Sequence, residues 1–97
     1  MKLSEEARLV LVSLGGGPKH GYAMTEDIER FAGRRLGAGT LYGAIARLES
    51  WGYIVALPGE ARRRPYRITP NGLKALRASL EDIDRVRATA RRRLAPR

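Results

Sequence analysis

Nineteen cationic side chains, sixteen of them arginine, face ten carboxylates in this chain of 97 residues, and beside them stand one histidine and no cysteine. Bond-making chemistry has little to work with. His20 is the sole histidine, and no second titrating group stands in a pattern that would make it half of an acid–base pair. Without thiolates or further imidazoles no zinc cluster can be assembled. The chain therefore reads as a non-enzyme, with no metal and no cofactor. The guanidinium fork, by contrast, donates bidentately to phosphate and to guanine, so the available chemistry is the binding of a polyanion. Its placement sharpens the point: residues 1–33 carry four Lys/Arg against five Asp/Glu, and residues 34–97 carry fifteen against five, for a formal net charge of +9. Such a balance favours nucleic acid over a neutral partner. RNA fits less well, because only six aromatic residues are present and several occupy core positions.

The stretch where the basic character begins is built to approach something closely. Between Leu36 and Tyr53 a helical period puts Leu41, Ile45 and Leu48 on one face and Gly39, Gly43, Ala46, Arg47 and Ser50 opposite. Each interior glycine costs about 0.8–1 kcal/mol of helix propensity, so packing must hold this helix. Its small outer face suits a DNA major groove; a short buried helix with a tolerant surface is the competing reading. A preceding helix is expected with Met24, Ile28 and Phe31 as its core stripe, entered at Lys19, His20, Gly21 and Tyr22 and closed at Ala32-Gly33. His20 there is either a turn residue bonded to nearby backbone or a phosphate contact. Arg34-Arg35-Leu36-Gly37 joins the two helices, which gives a helix-turn-helix.

The flanks extend that unit. Ser4 with Glu5-Glu6 caps a first helix through Leu14, apolar on more than one side and so expected to be covered by two surfaces. After the small-faced helix, residues 53–57 and 66–69 read as strands around a basic loop with Arg62, Arg63 and Arg64, a wing or else a solvated loop. Thr69-Pro70 opens a last helix to Leu94, about 37 Å long. Its apolar positions Leu73, Leu76, Leu80, Ile83, Val86, Ala90 and Leu94 exceed what a small core can cover. A second copy of the chain is the economical cover, with Leu9 and Val12 of the first helix assisting. The fold class is mainly α with a two-stranded β wing, a winged helix-turn-helix with a long C-terminal dimerisation helix. Residues 1–69 form the DNA-binding part and residues 70–97 the dimerisation helix and basic tail, within one structural unit. The longest apolar run, Leu9 to Leu14, is interrupted by Ser13 and far short of the roughly 20 residues of a membrane span. A cytoplasmic protein without membrane association is expected.

Four segments in succession, Gly17-Pro18-Lys19-His20-Gly21-Tyr22, Gly39-Thr40-Leu41-Tyr42, Arg47 to Ile54, and Arg64 to Gly72, resemble the signatures of the PadR family of prokaryotic winged helix-turn-helix regulators. The resemblance covers roughly residues 8–78 and is to the branch with a short C-terminal helical region. It implies a DNA-binding homodimer, commonly a repressor, whose recognition helices enter successive major grooves. It also implies DNA contacts at Gly39, Thr40 and Tyr42 on the recognition helix, at His20 and Tyr22 on helix two, and at Arg62 to Arg64 on the wing. Two departures stand out: Gly43 replaces the usual proline, and the last helix lacks the aromatic residues with which some relatives hold drug-like effectors. A small-molecule effector is therefore not indicated. Together these readings give a sequence-specific double-stranded DNA-binding regulator, by resemblance a repressor, acting as a homodimer on an inverted repeat. Its expected contacts are Lys19, His20, Tyr22, Arg34, Arg35, Gly39, Thr40, Tyr42, Gly43, Arg47 and Arg62 to Arg64. The alternative is a winged-helix interaction module for an acidic protein partner.

Overall fold

In the computed structural model, which describes residues 2–96 and of Arg62 only the backbone, the Ser4 side chain accepts the Ala7 N–H at 3.1 Å and starts α1 (Glu5–Gly15). Glu5 and Glu6 in its first turn suit the positive end of the helix dipole. Ala7, Val10, Leu11 and Leu14 are fully buried, because α1 is the central element: α2 (Gly21–Ala32), α3 (Ala38–Ser50), α4 (Pro70–Leu94) and the second strand all pack on it. Leu9 and Val12 are half-buried against the same core. The buried Ser13 is satisfied by donating to Asp27 Oδ2 at 2.8 Å, which ties α1 to α2.

Met24 and Ile28 of α2 are buried as their spacing predicts, whereas Phe31 is 46% exposed. The period is right and the extent of the core is not: residues 29–35 are all exposed, so the last turn of α2 overhangs the core before Gly33, with φ of 66°, ends the helix. In α3, Leu41, Ile45 and Leu48 are buried together with Ala44, and Leu36 plugs the core just ahead of them. The C-terminus of α3 is a Schellman turn, in which Tyr53 N–H donates to Leu48 O at 2.9 Å and Gly52 N–H to Glu49 O at 3.0 Å. That geometry needs the positive φ of 76° that Gly52 supplies.

The strands are shorter than the sequence suggests. β1 (Ile54–Ala56) pairs antiparallel with β2 (Tyr66–Ile68) in the register Ile54 to Ile68, Val55 to Arg67 and Ala56 to Tyr66. Beyond this pair, Lys19 N–H donates to Tyr66 O at 3.3 Å and Tyr66 N–H to Lys19 O at 3.1 Å, so the α1–α2 turn adds a one-residue bridge to β2.

Thr69 is the hinge pin between wing and last helix. Its hydroxyl accepts the Gly72 N–H at 3.1 Å and donates to Gly52 O at 2.7 Å, while its N–H donates to Tyr53 O at 3.0 Å. A side chain on Gly72 would overlap the Tyr53 carbonyl, so the close approach requires glycine there. The first half of α4 packs on α1 through Leu76 and Ser79, and Arg8 Nε donates to Ser79 Oγ at 2.7 Å. Leu76 therefore belongs to the chain's own core rather than to an outer seam, because the opening turns of α4 lie against α1. Leu73 and Ile83 are half-buried, and Leu80 and Ala90 are exposed. Farther along the helix Val86 is 70% and Leu94 82% exposed, and the molecule measures 58 × 26 × 21 Å. Among the described residues no helix is long and apolar enough to cross a membrane, and no three His, Cys, Asp or Glu side chains are grouped as metal ligands would be.

Candidate nucleic-acid interface

α3 turns Gly39, Thr40, Tyr42, Ala46 and Arg47 outward, with Gly43 half-buried among them. Gly43 has a local use: a Cβ there would lie 3.6 Å from Arg47 Nη1, so the guanidinium rests along the helix over the glycine. Gly21 serves Tyr42 in the same way. Any side chain at Gly21 would occupy the space of the Tyr42 phenol, which therefore lies directly over the first residue of α2. Tyr22 is 60% exposed and Tyr42 47%, and with Thr25, Arg35 and Leu36 they line a shallow hollow of about 260 Å³ at the mouth of the helix-turn-helix. Gly37 caps α3 without a side-chain hydrogen bond, and Gly37 and Ala38 at the start of the helix line that hollow.

Cations that look alike in sequence have different partners here. The Lys19 ammonium turns inward and donates to the carbonyls of Ser13 and Gly17 at the end of α1. Arg34 lies 3.0 Å from Glu5 Oε1 and 3.8 Å from Glu6 Oε1, linking the turn of the helix-turn-helix to the start of α1. Arg35 Nη1 donates to Glu29 Oε1 at 3.1 Å, and this hydrogen bond and the carboxylate charge raise its pKa above the ordinary value. Arg47, Arg63 and Arg64 are exposed and enter no ion pair among the described residues. The Arg62 side chain lies outside the described residues.

His20 caps α2, with Nδ1 accepting the Ala23 N–H at 3.3 Å. That bond assigns the acceptor lone pair to Nδ1, so in the neutral imidazole the proton sits on Nε2. The turn-residue role of His20 is thus realised in the free chain. In the wing, Leu57 N–H donates to Pro65 O at 2.8 Å and carries the ladder past β1, and residues Ala61–Arg63 form a 3₁₀ turn at its tip. Tyr66 is half-buried beside it; burial first, and then the charge of Glu49, raise its phenol above the usual 10.0, so it stays neutral. Arg67 was missed in sequence. It is exposed opposite Val55 on the outward face of the ladder, and the alternation Tyr66-Arg67-Ile68 was the signal that would have found it.

Two helices joined by a short turn, the second presenting a small outward face, followed directly by a two-stranded hairpin with a basic tip, define a winged helix-turn-helix protein. The family follows from comparison. The chain belongs to the transcriptional regulator PadR-like family, whose model matches residues 10–78. It is 41% identical over 73 residues to the transcriptional regulator Rv3488 of Mycobacterium tuberculosis, an alignment that covers 68% of this chain and 66% of that protein. It is also 41% identical over 86 residues to a protein of transposon TN4556 in Streptomyces fradiae, covering 89% of this chain but only 25% of that 37.1 kDa protein. The chain thus spans a quarter of one curated relative and just under two thirds of the other. Among solved structures, a transcriptional regulator from Clostridium thermocellum superposes with a TM-score of 0.81 at 29% identity, over 97% of this chain and 99% of that one.

Proposed function

We propose that this regulator binds double-stranded DNA sequence-specifically as a homodimer, reads an inverted repeat and acts as a repressor in the cytoplasm. The observation that carries the reading is the outer face of α3. Gly39, Thr40, Gly43 and Ala46 leave its backbone close to whatever it meets, and Arg47 rises from that surface with no carboxylate partner among the described residues. A helix so faced fits a major groove, where guanidinium reads guanine and small side chains admit the thymine methyl. Tyr22 and Tyr42 border the same surface, and Arg63 and Arg64 at the wing tip supply phosphate contacts beside it, with Gly39, Thr40 and Gly43 allowing the approach. In this reading residues 1–69 engage DNA, and the uncovered distal half of α4 pairs with a second copy through Leu80, Ile83, Val86 and Ala90. The repressor role follows the family resemblance.

Selection of bound duplexes from a random pool at physiological salt tests this. A palindromic consensus with half-sites one helical turn apart, roughly 34–36 Å or a multiple of it, is the expected result. Indifference to sequence, with binding to an acidic protein instead, would overturn it.

A further inference from the structure

The ion pair between Arg35 and Glu29 stands where DNA is expected, and its exposure makes it exchangeable. Arg35 lines the hollow with Tyr22 and Tyr42, on the side of the molecule where α3 presents its outer face. Its guanidinium is bonded to Glu29 Oε1 at 3.1 Å, and the two side chains are 50% and 51% exposed. An exposed pair of this kind is weakly held and is weakened further by salt, so a better-placed phosphate can replace the carboxylate. The neighbouring Arg34 is differently held, by Glu5 and Glu6 together, so it is the less available of the two.

Resting on the DNA-binding reading above, we propose that Glu29 is a specificity-determining residue: it withholds Arg35 from DNA of arbitrary sequence and yields it to a backbone phosphate only when α3 is fully seated on its operator. Loose electrostatic binding draws on whichever cations are free. With Arg35 neutralised by Glu29, the nonspecific complex has one cation fewer. On the operator, close docking of α3 carries a phosphate to the hollow, and the guanidinium changes partners. Glu29 thereby lowers affinity for competing DNA more than for the operator, and it does so without touching a base.

The test uses the full chain, a selected operator duplex and a scrambled duplex, with dissociation constants measured from 50 to 200 mM salt. Glu29→Gln is isosteric and exposed, and Arg35→Gln removes the partner. The expected pattern is crossed. In E29Q the scrambled-duplex slope steepens by about 0.9, roughly a threefold to fourfold extra change over that salt range, while the operator slope holds. In R35Q the operator slope flattens by the same amount and the scrambled-duplex slope holds. If R35Q moves both slopes equally, Arg35 is an ordinary phosphate contact and the inference fails. Slopes that stay fixed while only the melting temperature changes would make the pair purely structural, and the inference fails equally. A wild-type chain with no preference for any duplex would overturn the DNA reading itself and this inference with it, which the operator control separates from the other two results.

Discussion

Arg47 projects from α3 beside a glycine, so its guanidinium can lie along the helix or lift into a groove without a clash from the residue one turn back. If it reads a base, Arg47→Ala weakens operator binding and relaxes selection at one position by about 1–3 kcal/mol. Repeating the duplex selection with the variant checks this; an unchanged consensus removes Arg47 from base readout. Gly72 is the opposite kind of residue, fixed by packing alone. A methyl group there would meet the Tyr53 carbonyl, which is backbone held by the Thr69 N–H and cannot swing aside. Gly72→Ala is expected to destabilise the fold by about 1–3 kcal/mol, the range for overpacking a filled site, read as a lower urea midpoint with an unchanged slope. Residue types of this sort were legible in the sequence; their partners were not. Lys19, Arg34 and Arg35 are themselves among the residues expected to touch DNA, yet each has found an acceptor inside its own chain. Which cation is engaged depends on carboxylates and carbonyls brought together only by folding.

At the scale of elements, helical periodicity carried most of the information because it reports which residues share a face. It placed Leu41, Ile45 and Leu48 inside, and the capping pattern at Thr69-Pro70 located the start of α4. Periodicity cannot report how far the neighbouring surface extends, which is why Phe31 lies on the expected face of α2 and is still half in solvent. Nor does it show long-range pairing: Lys19 meets Tyr66 through main-chain bonds between residues far apart in sequence. That bridge ties the base of the wing to the entrance of α2. The tip, by contrast, projects Arg63 and Arg64 without internal partners among the described ion pairs. Replacing both by Ala is expected to weaken operator and scrambled DNA alike and to flatten both salt slopes by about two. The uniformity is the diagnostic feature, since phosphate contacts position a protein without reading sequence. A loss confined to the operator would mean that the wing reads bases or groove shape instead.

For the whole molecule the deciding feature is the length of α4 against the size of the body it leaves. The helix begins on α1, with Leu76 in the core, and then carries Leu80, Val86 and Leu94 out along a molecule whose longest dimension is 58 Å. Val86 and Leu94, largely wet, each forgo up to about 1.5–3 kcal/mol that full burial would provide, and Leu80 a smaller part of it, which is a sizeable share of the stability of a small domain. A second α4 laid against the first is the cover proposed above, and it leads to a paired prediction. Val86→Asp puts a charge on a position exposed within one chain, so the isolated fold should change by no more than about 0.5 kcal/mol. The dimer should nevertheless dissociate, because the same carboxylate would be buried opposite its copy. Leu76→Asp places its charge in the chain's own core and should unfold it outright. Sedimentation equilibrium and far-ultraviolet circular dichroism on the two variants separate these cases. A helical monomer for the first and an unfolded chain for the second are the expected outcomes. A Val86→Asp chain that remains dimeric would move the seam to another face. If the dimer does part on that substitution, operator affinity should fall with it, because two half-sites a turn apart can be held together only while α4 spans the two chains.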